Sequence, residues 1–419
     1  MTSIVISAFG CSTPLGGCYQ SVKTALEEGL SGIRRIEKYD TSEFRSKHAG
    51  VPTEGNERIR WPSEHGSQIG DIYYADVAIK RLRSHPGFSL EQYDESRVGC
   101  FIGADEPVYD MQQTFDVVRN LGRAAADTER DDALKRHFKI GDFFNYDPTV
   151  VLNRVGRAVS YKGPAVCHLG LCSASLQAIG MGFQALRADR VDAAIVGGVS
   201  AKITPEHYIG LEAADVISTD DKFEPTQRSR PFDSWRSGYI PAEGAIFFLL
   251  ERREAVEQRA DATCLLEILG YGASHNAFHI VKPHIESREM ILSMTRAIED
   301  AGIGADRVDL VNAHGTSTQL NDFHEAKAIN EVLPPGVLVT ANKSLHGHLI
   351  AAAGAMETLN TLIHLREGFI PGTINVEHQD PQCQVNLVTK TVKAEPQIVL
   401  KNSFGMGGLA ASMVFKSCH

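Results

Sequence analysis

The segment from Ala165 to Ser175 passes from a short apolar run into a turn and then a helix, and it carries Cys172 at the point of change. Leu176, Ile179, Phe183 and Leu186 follow at spacings of three, four and three, the period of a helix with one apolar face. A thiol at the start of such a helix faces unpaired backbone amides and the positive end of the helix dipole. Both favour the thiolate and make a nucleophile. Spacing alone does not separate a reactive cysteine from a core one, and Cys167, on the strand itself, reads as core.

Two further segments could do chemistry with that thiol. Asn312-Ala313-His314-Gly315-Thr316-Ser317-Thr318 follows a predicted strand at 308–311 and joins a histidine to glycine and three hydroxyls. Lys343-Ser344-Leu345-His346-Gly347-His348 follows a strand at 337–340 and leads into the small-residue run 351–355 and Glu357. A basic and an acidic residue in so apolar a setting need each other, because unpaired buried charge is costly, so Lys343 is expected to pair with Glu357. Metal binding by His346 with His348, or by His275, His279 and His284, lacks a carboxylate or cysteine at ligand spacing, and no metal is expected. His346 reads as a loop residue, and His324 and His364 as surface residues on helices. A last segment, Asn402-Ser403-Phe404-Gly405-Met406-Gly407-Gly408, closes a strand at 398–400. Its glycines permit close backbone approach. It lacks a P-loop lysine and the GxGxxG spacing, so an amide presented to an oxyanion is the better use.

The elements that must position these residues alternate strand and helix, as in an α/β fold with buried sheets. Strands are predicted near residues 5–6, 98–102, 164–169, 193–196, 308–311, 337–340 and 398–400. Helices are predicted at 19–30 and around Met290, Met294, Ala297 and Ile298. Charge rises at 251–258 before a new strand, which divides the chain into halves at 1–258 and 259–419. Each half has a strand, a turn with a reactive residue, and a helix of small and apolar residues. The charged stretch 119–139 reads as a solvated insertion.

The 419 residues carry a formal net charge of −10, with 43% hydrophobic and 22% charged residues. This is a globular composition, and its acidity argues against nucleic acid as a partner. No apolar run suggests a membrane span, and the first residues form no signal-peptide pattern. The eight cysteines include no CxxC pair, which suits a reduced, cytoplasmic protein without structural disulfides. Lys80-Arg81-Leu82-Arg83 is the densest basic cluster and reads as a solvated helix face.

Taken together, the cysteine, the His314-to-Thr318 run, the Lys343-to-His348 run and the Asn402-to-Gly405 turn resemble the elongating β-ketoacyl-ACP synthases. Arg230-Pro231-Phe232-Asp233 and Ala353-Gly354-Ala355-Met356-Glu357 extend the resemblance over nearly the whole chain. The resemblance implies a thiolase-like fold of two similar α/β halves in five layers, a dimer, no cofactor, and an acyl carrier protein presenting a phosphopantetheine arm. It implies Cys172 as the acylated nucleophile, His314 and His348 facing a malonyl thioester, and Lys343 with Glu357 as their support. It further implies Thr316 and Thr318 along the pantetheine arm, Gly405 and Gly407 at the substrate, and Asp322 and Glu325 as structural acids. Phe404 is implied as a gate whose amide joins the oxyanion hole.

The chain also departs from the family pattern. The turn continues Gly405-Met406-Gly407-Gly408-Leu409-Ala410 where the family has phenylalanine, threonine and asparagine. Arg236-Ser237-Gly238 replaces an arginine-aspartate-glycine, and Gly170-Leu171 precede the nucleophile. These changes point to a specialised polyketide, polyene or modified-lipid pathway. The alternatives are a non-condensing, chain-length-factor-like partner in a heterodimer, a degradative thiolase using Cys418, and a malonyl decarboxylase.

Overall fold

A computed structural model describes residues 2–54, 69–106, 127–137 and 147–418, together with 115, 116, 118, 119 and 121. Among the described residues eleven strands join in one sheet. In chain order they are β1 (Ile4–Ser12), β2 (Val98–Gly103), β3 (Ala165–His168), β4 (Ala193–Ser200), β5 (Gly244–Arg252) and β6 (Leu266–His275). They continue with β7 (Leu310–Asn312), β8 (Leu338–Thr340), β9 (Asn386–Leu387), β10 (Ile398–Gly405) and β11 (Leu409–Lys416). The spatial order is β9-β8-β7-β10-β11-β6-β1-β5-β4-β2-β3. The first five strands and their five counterparts from β6 onward therefore follow the same internal order, with β9 added at the far edge. In each set the second strand runs parallel to the third and fourth. The sets meet where β1 pairs antiparallel with β6, from Ile4 opposite Ile268 to Ile6 opposite Leu266.

Helices cover both outer faces and fill the space between the sets. In chain order they are α1 (Ile69–Arg83), α2 (Val150–Val159), α3 (Ala174–Arg187), α4 (Arg288–Asp300), α5 (Gln319–Val332) and α6 (Ala353–Glu367). α1 and α2 pack outside the first set, α4 and α5 outside the second, and α3 and α6 pack against each other and both sets. This makes five layers, helix–sheet–helix–sheet–helix. A helix in the middle layer has no face for solvent, so α6 is buried from Ala353 to Leu365. That explains why no amphipathic stripe marks it in the sequence.

It also corrects the placement of two histidines. His364, expected on a surface, is fully buried in α6, and His324 is 9% exposed on α5, its ring Nδ1 2.9 Å from the Ser287 hydroxyl. His346, expected in a loop, is buried on the one-turn helix Lys343–His346. The expectation of cysteines without a disulfide also changes. Cys264 and Cys418 form one, with Cα atoms 5.9 Å apart, tying the end of β11 to the start of β6.

The described part of the charged stretch, Asp127–His137, is a helix whose described side chains are exposed; the rest of 119–139, apart from Arg119 and Leu121, lies outside the described residues. The basic cluster forms the last turn of α1, where Leu82 is buried and Arg81 donates to the Cys11 carbonyl at 2.8 Å and to Glu54 at 3.0 Å. Among the described residues no helix is long and apolar enough to cross a membrane.

Candidate active site

Cys172 lies in the one-turn 3₁₀ segment Leu171–Ser173 that runs directly into α3. The turn is tight: Leu171 adopts φ 48°, and Ser173 donates both its amide and its hydroxyl to the Gly170 carbonyl, at 3.1 and 2.9 Å. Gly405 leaves room for this turn, since a Cβ there would lie 3.2 Å from the Gly170 oxygen. Ser403 of β10 fixes it from the other side by donating to the Cys172 carbonyl at 2.9 Å. Cys172 is thus held between a helix of the middle layer and a strand of the second set.

The helix start does not set the thiol's acidity. Burial pushes Cys172 up to about 12, against the opposing pull of Lys343; Asp105 raises it further, and the amides of Met406 and Cys172 itself lower it. The sequence led to the opposite expectation, because it reveals the helix dipole and conceals the depth of burial. The resting group is therefore a neutral thiol.

His314 and His348 converge on it from two loops of the second set. Their ring centroids are 5.3 Å apart at 83°, and one ligand atom from each ring and the Cys172 sulfur all lie within 4.8 Å of one another. Among the described residues these three are also the one group of histidine, cysteine and acid side chains close enough to share an ion. Phe404 stands edge-on to His314 at 5.9 Å, and Tyr239 edge-on to His348 at 5.0 Å.

The backbone of the His314 loop hangs on two buried acids of α5. Glu325 accepts from the amides of His314 and Gly315 at 2.7 and 2.8 Å, and Asp322 accepts from Thr316 at 3.0 Å and Phe232 at 2.8 Å. Burial pushes Asp322 up to about 6, with Arg236 opposing. Thr318 caps α5, and its hydroxyl meets that of Thr316 at 2.8 Å.

Hydrogen bonds fix the tautomer of each ring. Lys343 donates to His314 Nδ1 at 3.2 Å and to the His314 carbonyl at 2.6 Å, and it pairs with Glu357. The Ile350 amide donates to His348 Nδ1 at 3.2 Å. With both Nδ1 atoms accepting, each ring carries its proton on Nε2. Burial first, and then Lys343, holds both histidines well below the usual range, so both are neutral. His348 Nε2 makes no hydrogen bond among the described residues and remains a donor in waiting.

Sequence reasoning missed Lys401. It is fully buried on β10, 2.7 Å from the second oxygen of Glu357. One carboxylate therefore serves two lysines. Burial would raise Glu357, but the lysines overrule it and hold it low, while burial takes Lys401 from 10.5 down to about 8. The available signal was a charged residue at the end of an apolar strand that reads as core.

Cys172, His314, His348, Thr316, Thr318, Phe404 and Gly405 line one cavity of about 820 Å³ that also reaches Asn276 and Val281. Gly407 lies outside it, at φ 84°, pinned by its amide to Ile280 and by its carbonyl to His275. Lys343, Glu357, Asp322 and Glu325 stand behind the wall as supports. The amide found at the sulfur, besides that of Cys172, belongs to Met406, where the sequence had suggested Phe404. His275, His279 and His284 bind backbone groups of their own loop through ring nitrogens.

Family models for the β-ketoacyl synthase N-terminal and C-terminal domains match residues 72–255 and 265–377. The chain belongs to the β-ketoacyl synthase family. It is 30% identical to the 3-oxoacyl-[acyl-carrier-protein] synthase 2 of Vibrio cholerae, over 99% of this chain and 98% of that one. With the same-named protein of Staphylococcus aureus the identity is 29%, over 99% and 98%. Among solved structures, a β-ketoacyl synthase from Burkholderia phymatum superposes with a TM-score of 0.86 at 25% identity over all of both chains. The ishigamide ketosynthase/chain length factor does so with a TM-score of 0.83, also at 25% and full coverage. These neighbours are ketosynthases, and the five-layer arrangement is their thiolase-like fold.

Proposed function

We propose that the chain is an acyltransferase that condenses an acyl group on Cys172 with a malonyl group delivered on an acyl carrier protein. The observation that carries this reading is the trio of one buried thiol and two neutral imidazoles around a single cavity. Cys172 attacks the acyl-carrier thioester; the amides of Cys172 and Met406 hold the tetrahedral oxygen. The carrier leaves as a thiol, taking the proton that Cys172 gives up, so no strong base is required. The malonyl thioester then enters beside the rings, its arm along Thr316 and Thr318. Its carboxylate leaves as carbon dioxide, and the resulting enolate oxygen accepts from both Nε2–H groups. Its carbon attacks the acyl-Cys172 carbonyl, forming a carbon–carbon bond and expelling the Cys172 thiolate, which takes a proton from solvent water. Lys343, Glu357, Asp322 and Glu325 position the rings.

The reading extends to the assembly. The chain divides into halves at 1–258 and 259–419, works in the cytoplasm, and forms a dimer with a second copy or a ketosynthase-like subunit. The relatives named as acyl-carrier-protein synthases support the carrier, and the ketosynthase/chain length factor neighbour supports a paired subunit. The altered turn at Leu409-Ala410 favours a specialised pathway over housekeeping synthesis. Intact-mass spectrometry tests the centre of the proposal: acyl carriers should add one acyl group to the protein, and Cys172→Ala should abolish both that adduct and condensation. Condensation by Cys172→Ala would overturn it.

A further inference from the structure

The wall of the catalytic cavity carries a buried acid that the chemistry above does not use. Glu289, in the first turn of α4, is 4% exposed and lines the same cavity as Cys172, Thr316 and Thr318. One of its carboxylate oxygens has a structural task. It reaches back to accept from the His284 amide at 3.0 Å, while the His284 carbonyl accepts from the Ser287 amide at 2.7 Å. These two bonds close the turn that leads into the helix. The Ser274 hydroxyl holds the same residue by donating to the Glu289 carbonyl at 2.5 Å. The other carboxylate oxygen is buried and makes no hydrogen bond among the described residues. The turn needs one acceptor, so this second oxygen adds nothing to it.

The place of the acid narrows what could meet it. α4 packs on α5, and the Ser287 hydroxyl, just before α4, lies 2.9 Å from His324 of α5. Three residues back along α5 is Asn321, and Thr318 caps that helix. Asn321 and Met290, the neighbour of Glu289, also line the cavity. Glu289 therefore stands on the flank that holds the threonine hydroxyls. A buried carboxylate is costly unless donors serve its oxygens, and a donor brought by a ligand would make a charge-assisted bond there. An unsubstituted alkyl chain has no donor to offer. A pantetheine arm has amide N–H groups along its length.

We propose that Glu289 is a positioning residue for the carrier's arm, its second oxygen accepting a hydrogen bond from an amide N–H of the pantetheine that lies along Thr316 and Thr318. This rests on Cys172 as the acyl acceptor and adds a contact to the group that delivers the acyl chain. The full-length protein is incubated with octanoyl-pantetheine or with the octanoyl thioester of ethanethiol, which has no N–H group. Acyl-Cys172 is followed by intact mass over a range of thioester concentrations. The unaltered protein should reach half-saturation at a lower concentration of octanoyl-pantetheine than of the ethyl thioester. Glu289→Ala should cut that advantage about tenfold, the loss expected for one charge-assisted hydrogen bond, and should act through half-saturation rather than the limiting rate. Glu289→Gln keeps the shape but has one acceptor for two donors, so it should cut the advantage as well, and it keeps the test alive if the alanine variant fails to fold. An advantage left intact by both variants, or lost through the limiting rate alone, would overturn the proposal. Labelling of the unaltered protein by neither thioester, while iodoacetamide still alkylates Cys172, would instead overturn the acyl-acceptor reading, and this proposal with it.

Discussion

The two sides of Cys172 are built on different principles. On the imidazole side, the amides of His314, Gly315 and Thr316 are each held by a buried carboxylate, and each ring nitrogen facing away from the cavity has a donor. On the strand-end side, the start of α3 rests directly on Gly103 and Gly198, where a Cβ would lie 2.4 Å from the Ser175 nitrogen and 2.6 Å from the Ser175 Cβ. The contrast teaches that hydrogen bonds position the two rings, whereas close backbone packing positions the helix that carries the thiol. Enolate stabilisation is common to every turnover and gains from donors fixed beforehand. A helix start needs only close contact to hold its place, and a glycine at each of positions 103 and 198 permits it.

The largest effect should follow from loosening the fixed side. Glu325→Ala removes one carboxylate that holds two buried amides and Asn402. Each orphaned group costs about 1–3 kcal/mol, so stability should fall by several kcal/mol, and condensation should fall more steeply than acylation because His314 moves while Cys172 does not. Denaturant melts and separate assays of the two half-reactions check this. An equal loss in both would show that the loop does not position the ring independently of the thiol.

A smaller effect should come from the unforeseen lysine. Lys401 drops from 10.5 in the unfolded chain to about 8 in the fold, so between those values the unfolded state binds more protons and the fold gains as pH rises. Stability should therefore climb from pH 8 toward 10.5, with a slope of at most about 1.4 kcal/mol per pH unit, and Lys401→Met should flatten it. Because Lys401 also helps keep both rings neutral, the same variant should move the acid limb of condensation to higher pH. An unmoved limb would confine Lys401 to a structural part.

The smallest effect on chemistry should come from Cys418→Ser. The disulfide closes a loop of 154 residues, yet it joins two strands already paired at Phe415 and Ile268. Acylation and condensation should be unchanged, while thermal stability falls by less than the roughly 5 kcal/mol that loop entropy alone would give. In a reducing compartment this bridge would open, so activity measured with and without dithiothreitol should agree.

Much of the fixed side was legible beforehand. Cys172, His314, Lys343, His348 and Glu357 stand in segments whose residue types have few other uses together, and the strand-to-turn pattern placed them at element ends. Lys401 sits on a strand that reads as core. His324 and His364 were misplaced for a related reason: burial in a middle layer depends on what packs on the second face of a helix.

The sequence alone determined the alternation of strands and helices, the family, and the segments that carry Cys172, His314 and His348. Only the tertiary structure decided that the thiol rests neutral, that both rings present Nε2–H, and that one carboxylate serves two lysines. The division has a physical cause. Residue type and periodicity are local properties of the chain, whereas desolvation, tautomer and charge pairing depend on neighbours brought from far along it.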